Sequence, residues 1–182
     1  MSNSSIKTVS LTNRSEDEAL PKLKELTLEY LKVIEDGDFS SLSRFMHPEA
    51  LNTFKTMLFP LFEREAEQGE RELIDICFGC QSNVQMLSFM ESGEFFNGFM
   101  RLFSQQVKEI QMRFEKVEVL GLIREDDVYH TLNRVAINVD GISVESFEVL
   151  CFQQHNNNWH LHLTKEIKGL ASTLETTQIK YH

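Results

Sequence analysis

Proline is scarce in this chain. There are three in 182 residues, Pro21, Pro48 and Pro60, and all lie in its first third. A thioredoxin-type redox pair keeps a cis-proline beside its thiols, so the "CFGC" stretch from Cys77 to Cys80, which every proline precedes, lacks that companion. Cysteine is as rare, and an odd total of three excludes a disulfide framework and fits a reducing compartment. One CxxC also supplies only half of the four ligands that structural zinc needs. Cys77 and Cys80 are therefore expected to be two partly buried thiols with no redox or metal role, and no cofactor is expected.

Long apolar runs are missing too. The N-terminal "MSNSSIKTVSLTNRSEDEAL" has no continuous apolar core, so neither a membrane span nor a secretory signal is expected, and the reading is a cytoplasmic protein. Positive charge is in short supply: 18 Lys and Arg stand against 28 Asp and Glu, a formal net charge of −10. No cationic stripe exists to follow a phosphate backbone, which argues against a nucleic-acid partner.

What the chain does have is enough apolar content, 41%, to bury one core. One domain is expected over residues 16–170, with tails at 1–15 and 171–182. In "SEDEALPKLKELTLEYLKVIEDGD", Leu20, Leu23, Leu26, Tyr30, Val33 and Ile34 recur at helical steps, Ser15 offers a cap and Gly37 a stop. A short helix capped by Asp38 follows, then one opened by Pro48 that Pro60 is expected to kink or divide. Residues 70–85 read equally as a short strand or a helix edge. "SGEFFNGFMRLFSQQVKEIQ" repeats Phe95, Phe99 and Phe103 every four residues, the pattern of a core-facing helix.

From Lys116 the period falls to two. Four strands are predicted, "KVEVLGLIR", "VYHTLNRVAINV", "ISVESFEVLCFQQ" and "WHLHLTKEI", joined by "EDD", Asp140-Gly141 and "HNNN". With turns of three, two and four residues, one face carries the rows Ile123, Tyr129, Phe152, Leu161; Gly121, Thr131, Leu150, Leu163; Val119, Asn133, Glu148, Lys165; and Val117, Val135, Ser146, Ile167, with Trp159 at the end. This is the face for helices to cover. The opposite face sets Leu122, His130, Cys151 and His162 in one row, with Leu120, Leu132, Val149, Arg134 and Phe147 beyond it. That mixture suits a homodimer contact. The His130–Cys151–His162 row offers three metal-ligand types, but opposite side chains on a flat sheet project in parallel and no fourth ligand is evident, so no metal is expected.

Helices followed by a curved meander that closes on a polar turn, Trp and a strand resemble the nuclear transport factor 2-like superfamily. The matching stretches are "EYLKVIEDGDFSSLSRFMHPEAL" and "FEVLCFQQHNNNWHLHL". The resemblance implies an α+β cone with helices on the concave sheet face, a pocket between them, and dimerisation through the other face. It leaves activity open, because the superfamily spans isomerases, cyclases, dehydratases, hydrolases and non-enzymes. Within such a cone the polar row Asn133, Glu148 and Lys165 has two readings: a buried ion pair, or a ligand site with Glu148 as general base. Tyr30 and Trp159 complete the candidate ligand contacts. Two functions stay open, a pocket for a mostly apolar small molecule with isomerase- or lyase-type proton transfer, and a non-catalytic dimeric module whose cone Phe and Met side chains plug.

Overall fold

A computed structural model describes residues 14–109, 112–163 and 169. Helix α1 (Arg14–Glu35) leads to a 3-10 helix (Phe39–Phe45), then α2 (Pro48–Glu67), α3 (Glu72–Phe78), α4 (Val84–Phe89) and α5 (Ser92–Glu109). Strands β1 (Arg113–Glu125), β2 (Val128–Val139), β3 (Ile142–His155) and β4 (Asn158–Leu161) form one curved antiparallel sheet in the order β1-β2-β3-β4. This is the expected α+β arrangement, with the helices on one sheet face. Of the expected tails, only Arg14 and Ser15 fall within the description, in the first turn of α1. Among the described residues no helix is long and apolar enough to cross a membrane.

Local chemistry sets the helix ends. Gly37 takes a φ of 65°, and the Gly37 and Asp38 amides donate to the Ile34 and Val33 carbonyls, closing α1 with a left-handed cap. Asp38 holds the N-cap position of the 3-10 helix, where its carbonyl accepts from the Ser41 amide at 3.3 Å and its carboxylate accepts from the Ser40 and Ser41 hydroxyls at 2.6 and 2.8 Å. Pro60 does not divide the helix: α2 runs unbroken from Pro48 to Glu67. Pro60 lies on the exposed side of a helix whose other face buries Leu58, Leu61 and Phe62, and that packing outweighs one missing backbone bond.

The ambiguous segment is helical. Its first turn is held from outside by Glu65 of α2, a buried carboxylate that accepts from the Leu73 and Ile74 amides. Phe78 then packs against Gly98 of α5, where a Cβ would come within 2.3 Å of the ring. Around this contact Phe54, Phe62, Phe78, Phe95, Phe96 and Phe99 pack ring on ring at centroid distances of 4.8–6.5 Å. The phenylalanines fill the space between α2, α3 and α5.

In the sheet, β2 and β3 pair in the expected register, with Asn133 opposite Glu148 and Tyr129 opposite Phe152. Asp140 and Gly141 both take positive φ, the tight hairpin their sequence signals. Phe152 likewise faces Leu161 across the β3-β4 hairpin. β1 departs from expectation. Its turn to β2 spans Asp126 and Asp127 alone, and a bulge between Val119 and Gly121 absorbs the difference. Val119 still faces Asn133, but Ile123 faces His130 and moves to the outer side, while Leu122 faces Thr131 and packs on the core. The expected positions of Leu122 and Ile123 are therefore exchanged, because one extra residue reverses every side chain beyond it.

Candidate functional site

The helical layer touches the sheet unevenly. Tyr129, Thr131, Asn133, Val135, Leu150, Phe152, Leu161 and Leu163 are buried on the inner face. Toward the outer edge of β3, α1 and the 3-10 helix stand off and leave a cavity of about 830 Å³. Tyr30, Leu31 and Ile34 of α1, Phe39 and Leu42 of the 3-10 helix, and Met100 of α5 form one wall. Phe114, Ile137, Glu148 and Leu150 form the sheet wall, and the space continues past the edge of β3 to Phe147, Val149, Cys151, His130 and His162. Among the described lining residues Glu148 is the single carboxylate.

Of the candidate ligand contacts, Tyr30 and Glu148 line this cavity, on opposite walls. Tyr30 is held edge-on to Phe45 with ring centroids 5.8 Å apart. Asn133 lies beside Glu148 but beneath the surface, 1% exposed. Its amide donates to the Thr131 hydroxyl at 3.0 Å and to the backbone carbonyl of Glu148 at 3.3 Å, so it braces the strand pair from within. Lys165 lies outside the described residues. Trp159 belongs elsewhere: it meets Tyr129 edge-on at 4.8 Å, with the Arg124 guanidinium 5.3 Å from the Tyr129 ring centre, in a separate cleft of about 330 Å³ that Glu18, Lys22 and Asp127 also line.

The outer face carries the row of nitrogen and sulfur groups. His130 Nδ1 and Cys151 Sγ lie 3.2 Å apart, so these two side chains converge where a flat sheet would hold them parallel. His162 is turned away: its Nε2 lies 2.8 Å from Gln153 Oε1, and its ring stacks on His47 with centroids 5.1 Å apart. Among the described residues no three His, Cys, Asp or Glu side chains are disposed to hold a metal ion. Of the CxxC pair, Cys77 is buried in α3 and Cys80 is exposed in the turn beyond it. Burial first, and then the negative charge of Glu65, push the Cys77 thiol up to about 12, so it stays protonated near neutral pH.

No family model, curated protein or solved structure matches this chain.

One group escaped the sequence reading. His47, at the start of α2, accepts from the Glu49 amide through Nδ1 at 3.2 Å, and its own amide donates to the Leu161 carbonyl at 2.7 Å. That second bond draws the loop along the edge of β4 and sets His47 within 5.1–6.3 Å of His155, His160 and His162, ring centre to ring centre. Burial, followed by the neighbouring His47 and His155, holds His160 below the ordinary imidazole range. The "HP" pair before a helix marks His47 as a cap, but pairing it with β4 needs tertiary contact that no local pattern encodes.

Proposed function

We propose that this protein is a nuclear transport factor 2-like small-molecule binder that takes a mostly apolar ligand in the 830 Å³ cavity. The wall composition carries the reading: aliphatic and aromatic side chains on both sides with one carboxylate, Glu148, facing in among them. The phenylalanine cluster supports it as well, since those rings pack between helices and do not plug the space before the sheet. An inward carboxylate in such a wall suits the general base of an isomerase- or lyase-type proton abstraction. The order of helices and then meander, with the helical layer on one sheet face, supports the superfamily assignment.

The protein acts as a homodimer in this reading. The outer face presents Leu120, Ile123, Leu132, Phe147 and Val149 to solvent, with Phe147 61% exposed. Beside this apolar ridge Arg134 stands 3.4 Å from both Glu118 and Glu145. A face with an apolar centre and both signs of charge is complementary to itself under a two-fold axis.

The test is titration with the neutral apolar dye N-phenyl-1-naphthylamine, followed by fluorescence. Saturable binding of one dye per chain is expected, lost in Ile34→Trp, which fills the wall of α1, in a variant that keeps its melting temperature. Glu148→Gln should retain dye binding, because the dye needs the apolar wall and not the charge. Absence of saturation, or equal binding by Ile34→Trp, would overturn the reading.

A further inference from the structure

His130 and Cys151 are direct cross-strand partners on the outer face, at the end of the cavity that passes the edge of β3. The His130 ring has a neighbour at each end: Nδ1 faces Cys151 Sγ at 3.2 Å, and the exposed Glu125 carboxylate lies 3.4 Å from Nε2 without hydrogen-bonding to it. In the tautomer that carries its proton on Nε2, Nδ1 is free to accept from the thiol across this 3.2 Å contact. The His130 side chain is 26% exposed, enough to shield the pair from bulk water without closing it off. Sulfur and imidazole thus stand as nucleophile and base, with a negative charge near the far end of the ring. The bulge in β1 makes this possible, because it carries Ile123 and Glu125 to the outer face.

We propose that Cys151 is a nucleophilic thiol that captures a soft electrophile of the α,β-unsaturated carbonyl class with an apolar tail. The choice of ligand rests on the apolar-cavity reading; the reactivity of the thiol does not. In the step, the Cys151 Sγ–H proton passes to His130 Nδ1 and the sulfur forms a bond to the β-carbon. The carbon–carbon π pair moves onto the enolate, and the imidazolium returns its proton to the α-carbon. The net change adds S–H across the double bond, with no oxidant and no leaving group. The other two thiols serve as internal references: Cys77 is buried and Cys80 is exposed.

The experiment labels the full chain with limiting iodoacetamide or, separately, with 3-nonen-2-one, and reads the occupancy of each cysteine by peptide mass spectrometry. With iodoacetamide at pH 6.5, Cys151 is expected to react at least ten-fold faster than Cys80, since an ordinary thiol of pKa about 8.5 is only about 1% thiolate there. His130→Gln should abolish that advantage and leave Cys80 unchanged. Glu125→Gln, on an exposed side chain, should reduce it several-fold and guards against a folding defect in the first variant. With the enone, selectivity for Cys151 should rise further and fall on adding N-phenyl-1-naphthylamine. Cys80 reacting as fast as Cys151 with iodoacetamide, or a ratio that neither variant changes, overturns the proposal. Iodoacetamide selectivity without dye-sensitive enone selectivity upholds the thiol and removes the cavity as its source of ligand.

Discussion

The two sides of the helical layer differ in kind. Between α2, α3 and α5 six phenylalanine rings interlock, five of them buried, and a glycine is required where Phe78 meets α5. Between α1, the 3-10 helix and β3 the same layer leaves a cavity of about 830 Å³. A chain that fills the first region with interlocking rings does not leave the second open for want of large side chains. The difference teaches that, on the proposed reading, stability and ligand capacity sit in separate parts of the described fold, and substitutions should divide along that line.

The sharpest break of the comparison is Phe62→Ala. Phe62 is fully buried and touches Phe78, Phe95 and Phe99, so its loss should cost about 3–5 kcal/mol in urea unfolding. Ile34→Trp on the cavity wall adds a large side chain, yet should change stability by less than about 1 kcal/mol because there is room for it. Equal losses would show that the two regions are one core. Next in size is Glu65→Ala, which leaves the Leu73 and Ile74 amides without their carboxylate cap; a loss of about 1–3 kcal/mol is expected, with Glu65→Gln recovering part of it.

These regions also differ in how well they can be read without coordinates. Alternation and the Asp140-Gly141 turn were enough to pair Asn133 with Glu148 and to face Glu148 inward, because a two-residue hairpin leaves no freedom of register. The stretch "VLGLI" in β1 has apolar residues on both parities, so alternation could not locate the bulge that exchanges Leu122 and Ile123. Helix α3 was illegible for another reason: the carboxylate that starts it comes from α2, and its Phe78 is anchored on α5. The cavity itself had no signature, since an empty volume is fixed by what the helices fail to reach. Trp159 was drawn into the site by its place on the inner face, although the length of the sheet carries it to a different cleft.

A smaller effect separates the outer face from both. Phe147→Asp removes an apolar side chain that the monomer leaves mostly in water, so unfolding free energy should move by no more than about 0.5 kcal/mol. If the proposed homodimer forms through this face, sedimentation should nevertheless shift from dimer to monomer. A dimer that survives this substitution, with Val149→Asp added, would place the contact on another surface.

The subtlest prediction concerns the histidines that tie the loop before α2 to the β4 edge. His160 is held below its ordinary value by burial and then by His47 and His155, with a backbone contact to Met46 opposing them. The folded state therefore resists taking a proton that the unfolded chain accepts near pH 6.5. The contribution is full above that pH and is lost as pH falls through the lower folded value. Other groups facing the cluster are the Gln153 amide, bonded to His162, and the Glu49 carboxylate in the first turn of α2. Melting temperature should thus fall between pH 7.5 and 5.5, and His160→Gln should make that fall shallower. A slope unchanged in this variant would assign the acid sensitivity to other groups and leave the histidine cluster a purely steric join.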